Sequence, residues 1–421
     1  MGATLMGART NSTASVWQSN LAVSTRRTVA RDLHSHAAVP VKCLCQAIDS
    51  VRQLRLACAP MAQLVTDSIA GLAPYQGGKP IEELARERGL SDIVKLASNE
   101  SALGPSPLAV EAAARALKNA HRYPDGAAFR LRSAIAEFHG VTFGEVLHGN
   151  GSNELLELVV RTFMTPDQHV IFGRPAFSMY SVIAAGHNVQ FSAVPTDANL
   201  VHDLDAMVAQ VRDNTKVIIL DNPNNPTGTY VEKERLARFL RQVPESVIVV
   251  LDEAYFEFGD APDYPDGLAL RDCRENLLVL RTFSKAYGLA GFRVGYGVGP
   301  ERLINYLNRL RAPFNVSLIS QEAAICALAD HEHLRKVVSL NNSERVRLSS
   351  ELARFGRVFP SQANFILVDF GEPSAQIYDA LLDQGVIVRP IPGLATHLRL
   401  TIGTAAENDR LLSALGKVLQ N

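Results

Sequence analysis

Three clusters of reactive side chains stand at the ends of short apolar runs. Leu277–Leu280 is followed by Arg281-Thr282-Phe283-Ser284-Lys285. Val247–Leu251 is followed by Asp252-Glu253-Ala254-Tyr255, and Val217–Leu220 by the amide-rich turn DNPNNPTG at 221–228. A lysine in such a place, beside two hydroxyls, can form a Schiff base with a carbonyl. An aspartate on a neighbouring strand can hold a protonated pyridine nitrogen, while a tyrosine and an asparagine can hydrogen-bond a ring oxygen. Lysine with a carboxylate partner is the set that a pyridoxal phosphate site requires. The phosphate needs donors of its own, and two sources offer them. One is the turn His148-Gly149-Asn150-Gly151-Ser152-Asn153-Glu154, which opens a helical pattern over Glu154–Phe163 and presents backbone N–H groups and a helix dipole. The other is Thr282 and Ser284 together with Arg293. No motif here is specific alone, since G-x-G-x-x-E is not the dinucleotide fingerprint and a lone lysine is usually solvated. Their convergence carries the reading.

Such convergence needs a sheet whose strands end side by side. From about residue 106, apolar runs alternate with helical patterns: His169–Phe172, Val189–Val194 and the runs named above, separated by stretches such as Glu232–Arg241. That order predicts an α/β fold with a mainly parallel sheet and helices on both faces. Ligands in such sheets bind beyond the carboxyl ends of the strands, where the three clusters fall. Val294–Val298 reads as a further strand. After Pro313 the pattern shifts to a long helical region (Ser317–Phe355), a strand (Asn364–Val368), a helix (Ser374–Gln384) and strands at Val386–Arg389 and Leu398–Ile402. The expected division is an extension (1–66), an arm with part of a small domain (67–105), a large cofactor-binding domain (106–313) and a smaller α+β domain (314–421).

Composition narrows the class. Of 421 residues, 47% are hydrophobic and 20% charged, which excludes disorder as a description of the whole chain. Lys+Arg (42) nearly balance Asp+Glu (43), so bulk charge argues against a nucleic-acid surface. No apolar stretch reaches the roughly 18 residues of a membrane span. The 5 cysteines form no CxxC pair, and no metal site is expected. These features predict a cytoplasmic enzyme of small molecules with reduced thiols.

The first sixty residues differ. They hold Arg9, Arg26, Arg27, Arg31, Lys42, Arg52 and Arg55 against only Asp32 and Asp49. Residues 1–31 lack acids and are rich in Ser, Thr, Ala and Arg, as in an organellar transit peptide, and import into an organelle would follow from that reading. The alternative is a disordered extension or a mis-set start, with Met61 opening the folded body.

The chain resembles the histidinol-phosphate aminotransferase family of fold-type I pyridoxal-phosphate enzymes over about residues 67–419. The motifs are VKLASNE (94–100), RYPD (122–125), GNGSNELLE (149–157), DNPNNPTG (221–228), VVLDEAYFEF (249–258), RTFSKAYGLAGFRVGY (281–296), ANFILV (363–368) and LRLTIGT (398–404). The resemblance implies a large domain with a mainly parallel seven-stranded sheet, a smaller α+β domain, and a homodimer with a shared active site. It implies that Lys285 binds pyridoxal 5'-phosphate covalently and then moves the substrate proton, with Asp252 on the pyridine nitrogen and Tyr255 and Asn225 on the ring oxygen. Phe177 would stack on the ring. Ser152, Asn153, Thr282, Ser284 and Arg293 would hold the phosphate, joined by Tyr123 from across the dimer. Tyr75, Asn99, Arg389 and Arg399 would meet the substrate. The implied reaction exchanges an amino group between L-histidinol phosphate and 2-oxoglutarate.

Two other reactions stay open on the same scaffold: transamination of aromatic amino acids, and decarboxylation of a phosphate-bearing amino acid. The segment PIPGLATHL, between Arg389 and Arg399, reads as a short loop beside the substrate. A transcription regulator with an aminotransferase-like effector domain would need an N-terminal DNA-binding module, and residues 1–60 carry no helix-turn-helix pattern.

Overall fold

The computed structural model describes residues 64–72 and 77–419. Residues 1–63, with the readings of a transit peptide or mis-set start, and Tyr75 lie outside the described residues.

Among the described residues, seven strands form the large sheet: β1 (Val146–Gly149), β2 (His169–Arg174), β3 (Gln190–Pro195), β4 (Thr215–Asp221), β5 (Ile248–Asp252), β6 (Leu277–Thr282) and β7 (Gly295–Val298). Their spatial order is β1-β7-β6-β5-β4-β2-β3. β7 runs antiparallel to both neighbours, and every other pair is parallel. The expected α/β fold with a mainly parallel seven-stranded sheet is therefore present. β1 had no place among the apolar runs because its four residues lead straight into a glycine turn.

Both faces of the sheet are covered, so the central strands are apolar throughout and do not alternate with polar residues. In β4, Val217 and Ile219 pack with the helices Ser152–Phe163, Met179–Gly186 and Glu301–Leu310, whereas Ile218 and Leu220 face the helices Leu204–Ala209 and Lys233–Gln242. β5 divides in the same way, Ile248 and Val250 against Val249 and Leu251. Full burial of each such side chain is worth about 1.5–3 kcal/mol, which fixes strand and face together. Parity then places Asp221 and Asp252, the last residues of β4 and β5, on the face of the first core. The strand register pairs them directly.

The second sheet has four antiparallel strands in the order Arg389–Ile391, Leu394–Thr401, Phe365–Asp369 and Arg357–Val358. Two details differ from the sequence expectation. The helical region 317–355 is two helices, Leu318–Ala329 and His331–Leu352, parted at Asp330, whose carboxylate accepts from His333 N at 3.0 Å as an N-cap. The segment expected as a loop after Arg389 is a β-hairpin that turns at Pro392-Gly393, with Gly393 at φ 83° where glycine is favoured.

A short parallel pair, Val94–Lys95 with Val386–Ile387, leads the chain toward the end of the large sheet. Leu96 continues it, donating to Ile387 O at 2.7 Å and accepting from Thr401 N at 2.9 Å, and so delivers Asn99 to the cavity described next. No helix among the described residues is long and apolar enough to cross a membrane.

Candidate active site

One cavity opens at the carboxyl ends of the large sheet's strands. Lys285, Asp252, Tyr255, Asn225, Ser152, Asn153, Phe177, Thr282, Ser284, Arg293, Asn99, Arg389 and Arg399 all line it. Tyr75 is outside the described residues. Among the described residues singled out in the sequence, one is not there. Tyr123 does not line the cavity; it is 83% exposed and stacks on Phe314 with ring centroids 4.8 Å apart.

Asp252 sits at the floor, only 4% exposed. Tyr180, on the helix that follows Phe177, donates its hydroxyl to Asp252 Oδ2 at 2.9 Å. Oδ1 is buried and has no partner. Burial and then the Asp221 carboxylate push Asp252 up to about 7. A buried acid with one open oxygen on a cavity wall suits a cationic N–H donor.

Lys285 follows β6 and donates to Ser98 O at 3.2 Å. Burial, with Arg399 as the next cause, brings its ammonium down to about 8. A substantial fraction is thus neutral amine near physiological pH, as nucleophilic attack on a carbonyl requires. Tyr255, pushed up to about 12 by burial, accepts from Asn99 Nδ2 at 3.0 Å and keeps its own proton for donation.

The anion cradle forms where β1 turns into the helix Ser152–Phe163. Gly151 is at φ 76°, and a Cβ there would lie 2.7 Å from Arg293 Nη2. The guanidinium therefore rests against the bare backbone of the turn. Arg293 Nη1 lies 3.4 Å from Ser284 Oγ, and Thr282 Oγ1 donates to Ser284 Oγ at 3.0 Å. Helix N–H groups, two hydroxyls and one guanidinium share this end, a donor set matched to a phosphate.

The opposite wall belongs to the second sheet. Arg389 and Arg399 are direct cross-strand partners. Like charges so placed disfavour the pair, and an anion between them removes that cost. Arg399 Nη1 donates to Asn225 Oδ1 at 2.6 Å and Nη2 to Ala97 O at 2.7 Å, while Arg389 Nη1 donates to Gly77 O at 2.8 Å.

Sequence reasoning missed Tyr180, Asp221 and His202. Tyr180 stands one helical turn after Phe177, and that i, i+3 spacing was a usable signal; their rings meet edge to face at 5.7 Å. Asp221 was visible as a strand end. His202 lies in a connecting segment and only the fold brings its Nε2 to 2.9 Å from Asp221 Oδ1.

These residues fit pyridoxal phosphate on structural grounds: an orphaned buried carboxylate oxygen, a depressed lysine, and a cradle of anion donors with room secured by glycine. Fold and site together define a fold-type I pyridoxal-phosphate-dependent transferase. The profile of "Aminotransferase class I and II" matches residues 91–415. Histidinol-phosphate aminotransferase of Anaeromyxobacter sp. (strain Fw109-5) is 48% identical over 360 residues, covering 85% of this chain and 99% of that protein. The protein of the same name from Akkermansia muciniphila is 49% identical over 354 residues, covering 83% and 96%. The crystal structure of histidinol-phosphate aminotransferase from Sinorhizobium meliloti in complex with pyridoxal-5'-phosphate aligns with TM-score 0.78 at 30% identity, covering 86% of this chain and 99% of that one. The chain belongs to the class I and II aminotransferase family and, within it, to the histidinol-phosphate aminotransferases.

Proposed function

We propose that the protein transfers an amino group between L-histidinol phosphate and 2-oxoglutarate, giving imidazole-acetol phosphate and L-glutamate in histidine biosynthesis. The observation that carries this reading is the pairing of a lysine–aspartate cofactor floor with the Arg389/Arg399 wall, in a chain 48% identical to a histidinol-phosphate aminotransferase. The aromatic and decarboxylating alternatives are disfavoured by relatives at 43–49% identity that are named histidinol-phosphate aminotransferase.

Bound pyridoxal phosphate would supply an aldehyde for the amino group and an electron sink for the electrons released at Cα. Lys285 would hold the cofactor and, once released, carry the proton between the two carbons. Asp252, fixed by Tyr180 at one oxygen, would accept the ring N–H at the other. Tyr255 and Asn225 would bind the ring oxygen, and Phe177 would supply an aromatic face. Ser152, Asn153, Thr282, Ser284 and Arg293 would hold the phosphate. Arg389, Arg399 and Asn99 would bind the substrate anion, a phosphate in one half-reaction and a carboxylate in the other; Tyr75 is proposed beside them.

The protein is proposed to be a cytoplasmic homodimer in which Tyr123 completes the phosphate site of the other subunit. Tyr123 and Phe314 form an exposed aromatic pair, and Leu117 and Phe129, near Tyr123 in the sequence, are also exposed. Such apolar exposure fits a covered face.

The test is a half-reaction titration of the purified holoenzyme, following the visible cofactor band. L-histidinol phosphate should bleach it at the lowest concentration, and L-glutamate should also be competent. Faster bleaching by L-phenylalanine or L-tyrosine would replace the substrate assignment with an aromatic one.

A further inference from the structure

Asp221 has no role in the reading above, yet it stands beside Asp252. The two are register partners at the ends of β4 and β5, on the same face of the sheet. Adjacent strands lie only about 4.8 Å apart. Both residues are buried, 3% and 4% exposed, so their mutual repulsion is little screened.

Asp221 is anchored at both oxygens. Its Oδ2 accepts from Asn225 N at 3.0 Å, and its Oδ1 lies 2.9 Å from His202 Nε2. The buried imidazole occupies the space over Gly173, where a Cβ would fall 2.2 Å from Nδ1. Nδ1 itself has no partner. A proton on Nε2 therefore turns toward Asp221 and leaves a bare lone pair at Nδ1, which avoids an orphaned N–H. Asn224 borders the same Nε2 at 2.9 Å and donates to Pro175 O. The Asn225 N–H and the His202 ring thus hold the Asp221 carboxylate in place.

We infer that Asp221, oriented by His202, is a positioning residue that makes the unit formed by Asp252 and the ring nitrogen of bound pyridoxal phosphate hold its proton more tightly. The inference rests on Asp252 being the partner of that nitrogen. A fixed negative charge one strand away favours any proton on the unit, whichever atom carries it. The cofactor-free protein shows the same sign, because Asp221 follows burial as a cause of the upward shift of Asp252. The other groups acting on this carboxylate are Tyr180 and the backbone of Ala254, which oppose the shift, Glu253, which adds a smaller push upward, and Lys285, whose positive charge opposes it.

The experiment reconstitutes wild type, Asp221→Asn, His202→Gln and Asp252→Asn with pyridoxal phosphate labelled with 15N in the ring, and reads the ring-nitrogen resonance at one pH. Asp221→Asn, which keeps an oxygen for Asn225 N, should move the resonance toward the unprotonated position. Its kcat should fall on the order of tenfold, the equivalent of about one pKa unit, with KM little changed. His202→Gln should move the resonance the same way by less. Asp252→Asn should move it furthest. An unchanged resonance in Asp252→Asn would overturn the assignment of Asp252, and the inference with it. A shift in Asp252→Asn but none in folded Asp221→Asn would overturn the role of Asp221 alone. If Asp221→Asn does not fold, His202→Gln decides, and an unchanged resonance there overturns the inference.

Discussion

Tyr180 donates its hydroxyl to one oxygen of Asp252 at 2.9 Å and leaves the other oxygen without a protein partner. Buried polar atoms in folded proteins are nearly always satisfied, so a half-satisfied carboxylate on a cavity wall marks a place kept for a ligand. Tyr180→Phe keeps the ring, which packs against Phe172 and Phe177 at centroid distances of 5.9 and 5.7 Å, and removes only the donor. The lost bond to a charged acceptor is worth about 1.5–3 kcal/mol. The variant should fold, bind pyridoxal phosphate more weakly and turn over more slowly. Cofactor dissociation and single-turnover rates measure this, and wild-type values for both would show that Tyr180 does not fix Asp252.

Cofactor-free protein should show an unusual dependence of stability on pH. Asp252 rises from its ordinary 3.8 to about 7 in the folded chain, so its contribution is full below about pH 4 and lost as pH rises through 7. Lys285 falls from 10.5 to about 8, so its contribution is present above about pH 10.5 and lost as pH falls through 8. Both losses meet between pH 7 and 8. Asp252→Asn should therefore be more stable than wild type at pH 8, both stripped of cofactor, with the gap closing toward pH 4. Urea midpoints across that range are the measurement, and a gap independent of pH would mean that folding does not favour the protonated acid.

The strand ends were legible because a parallel sheet covered on both faces leaves continuous apolar runs, and polar residues that interrupt them stand out. Asp252, Lys285 and the turn at 221–228 were found in that way. Tyr180 and His202 were not, for a physical reason. Their function depends on where a helix and a connecting segment lie against the sheet, which side-chain type does not record; only the i, i+3 spacing from Phe177 pointed to Tyr180. The Arg389–Arg399 relation was hidden differently: nine residues between them read as a loop, whereas Pro392-Gly393 closes a hairpin that sets the two arginines opposite one another. The Pro-Gly dipeptide was the available sign.

The phosphate cradle should be sensitive to a single methyl group. Gly151 combines φ 76° with ψ 167°, a region occupied almost only by glycine, and an added Cβ would press within 2.7 Å of Arg293 Nη2. Strain of this kind is about 1–3 kcal/mol, and the guanidinium must also move. Gly151→Ala should raise the dissociation constant for pyridoxal phosphate by roughly tenfold or more while the thermal transition of the cofactor-free protein falls only modestly. Unchanged cofactor affinity would exclude this turn from phosphate binding.

The proposed sharing of the active site between subunits makes a prediction that no single variant can make. Lys285→Ala lacks the lysine but offers an intact Tyr123; Tyr123→Ala has the lysine but no hydroxyl to offer. If Tyr123 serves the other subunit, a hybrid dimer contains one site with both residues intact and one with neither. Random exchange between equal amounts of the two variants makes half the dimers hybrid, so the mixture should recover about a quarter of wild-type activity at limiting pyridoxal phosphate. Tyr123 acting within its own subunit would leave every site in the mixture defective, and activity would stay at the average of the two parents. The structure favours the first outcome, because Tyr123 lies against Phe314, 83% exposed and away from the cavity lined by its own Lys285.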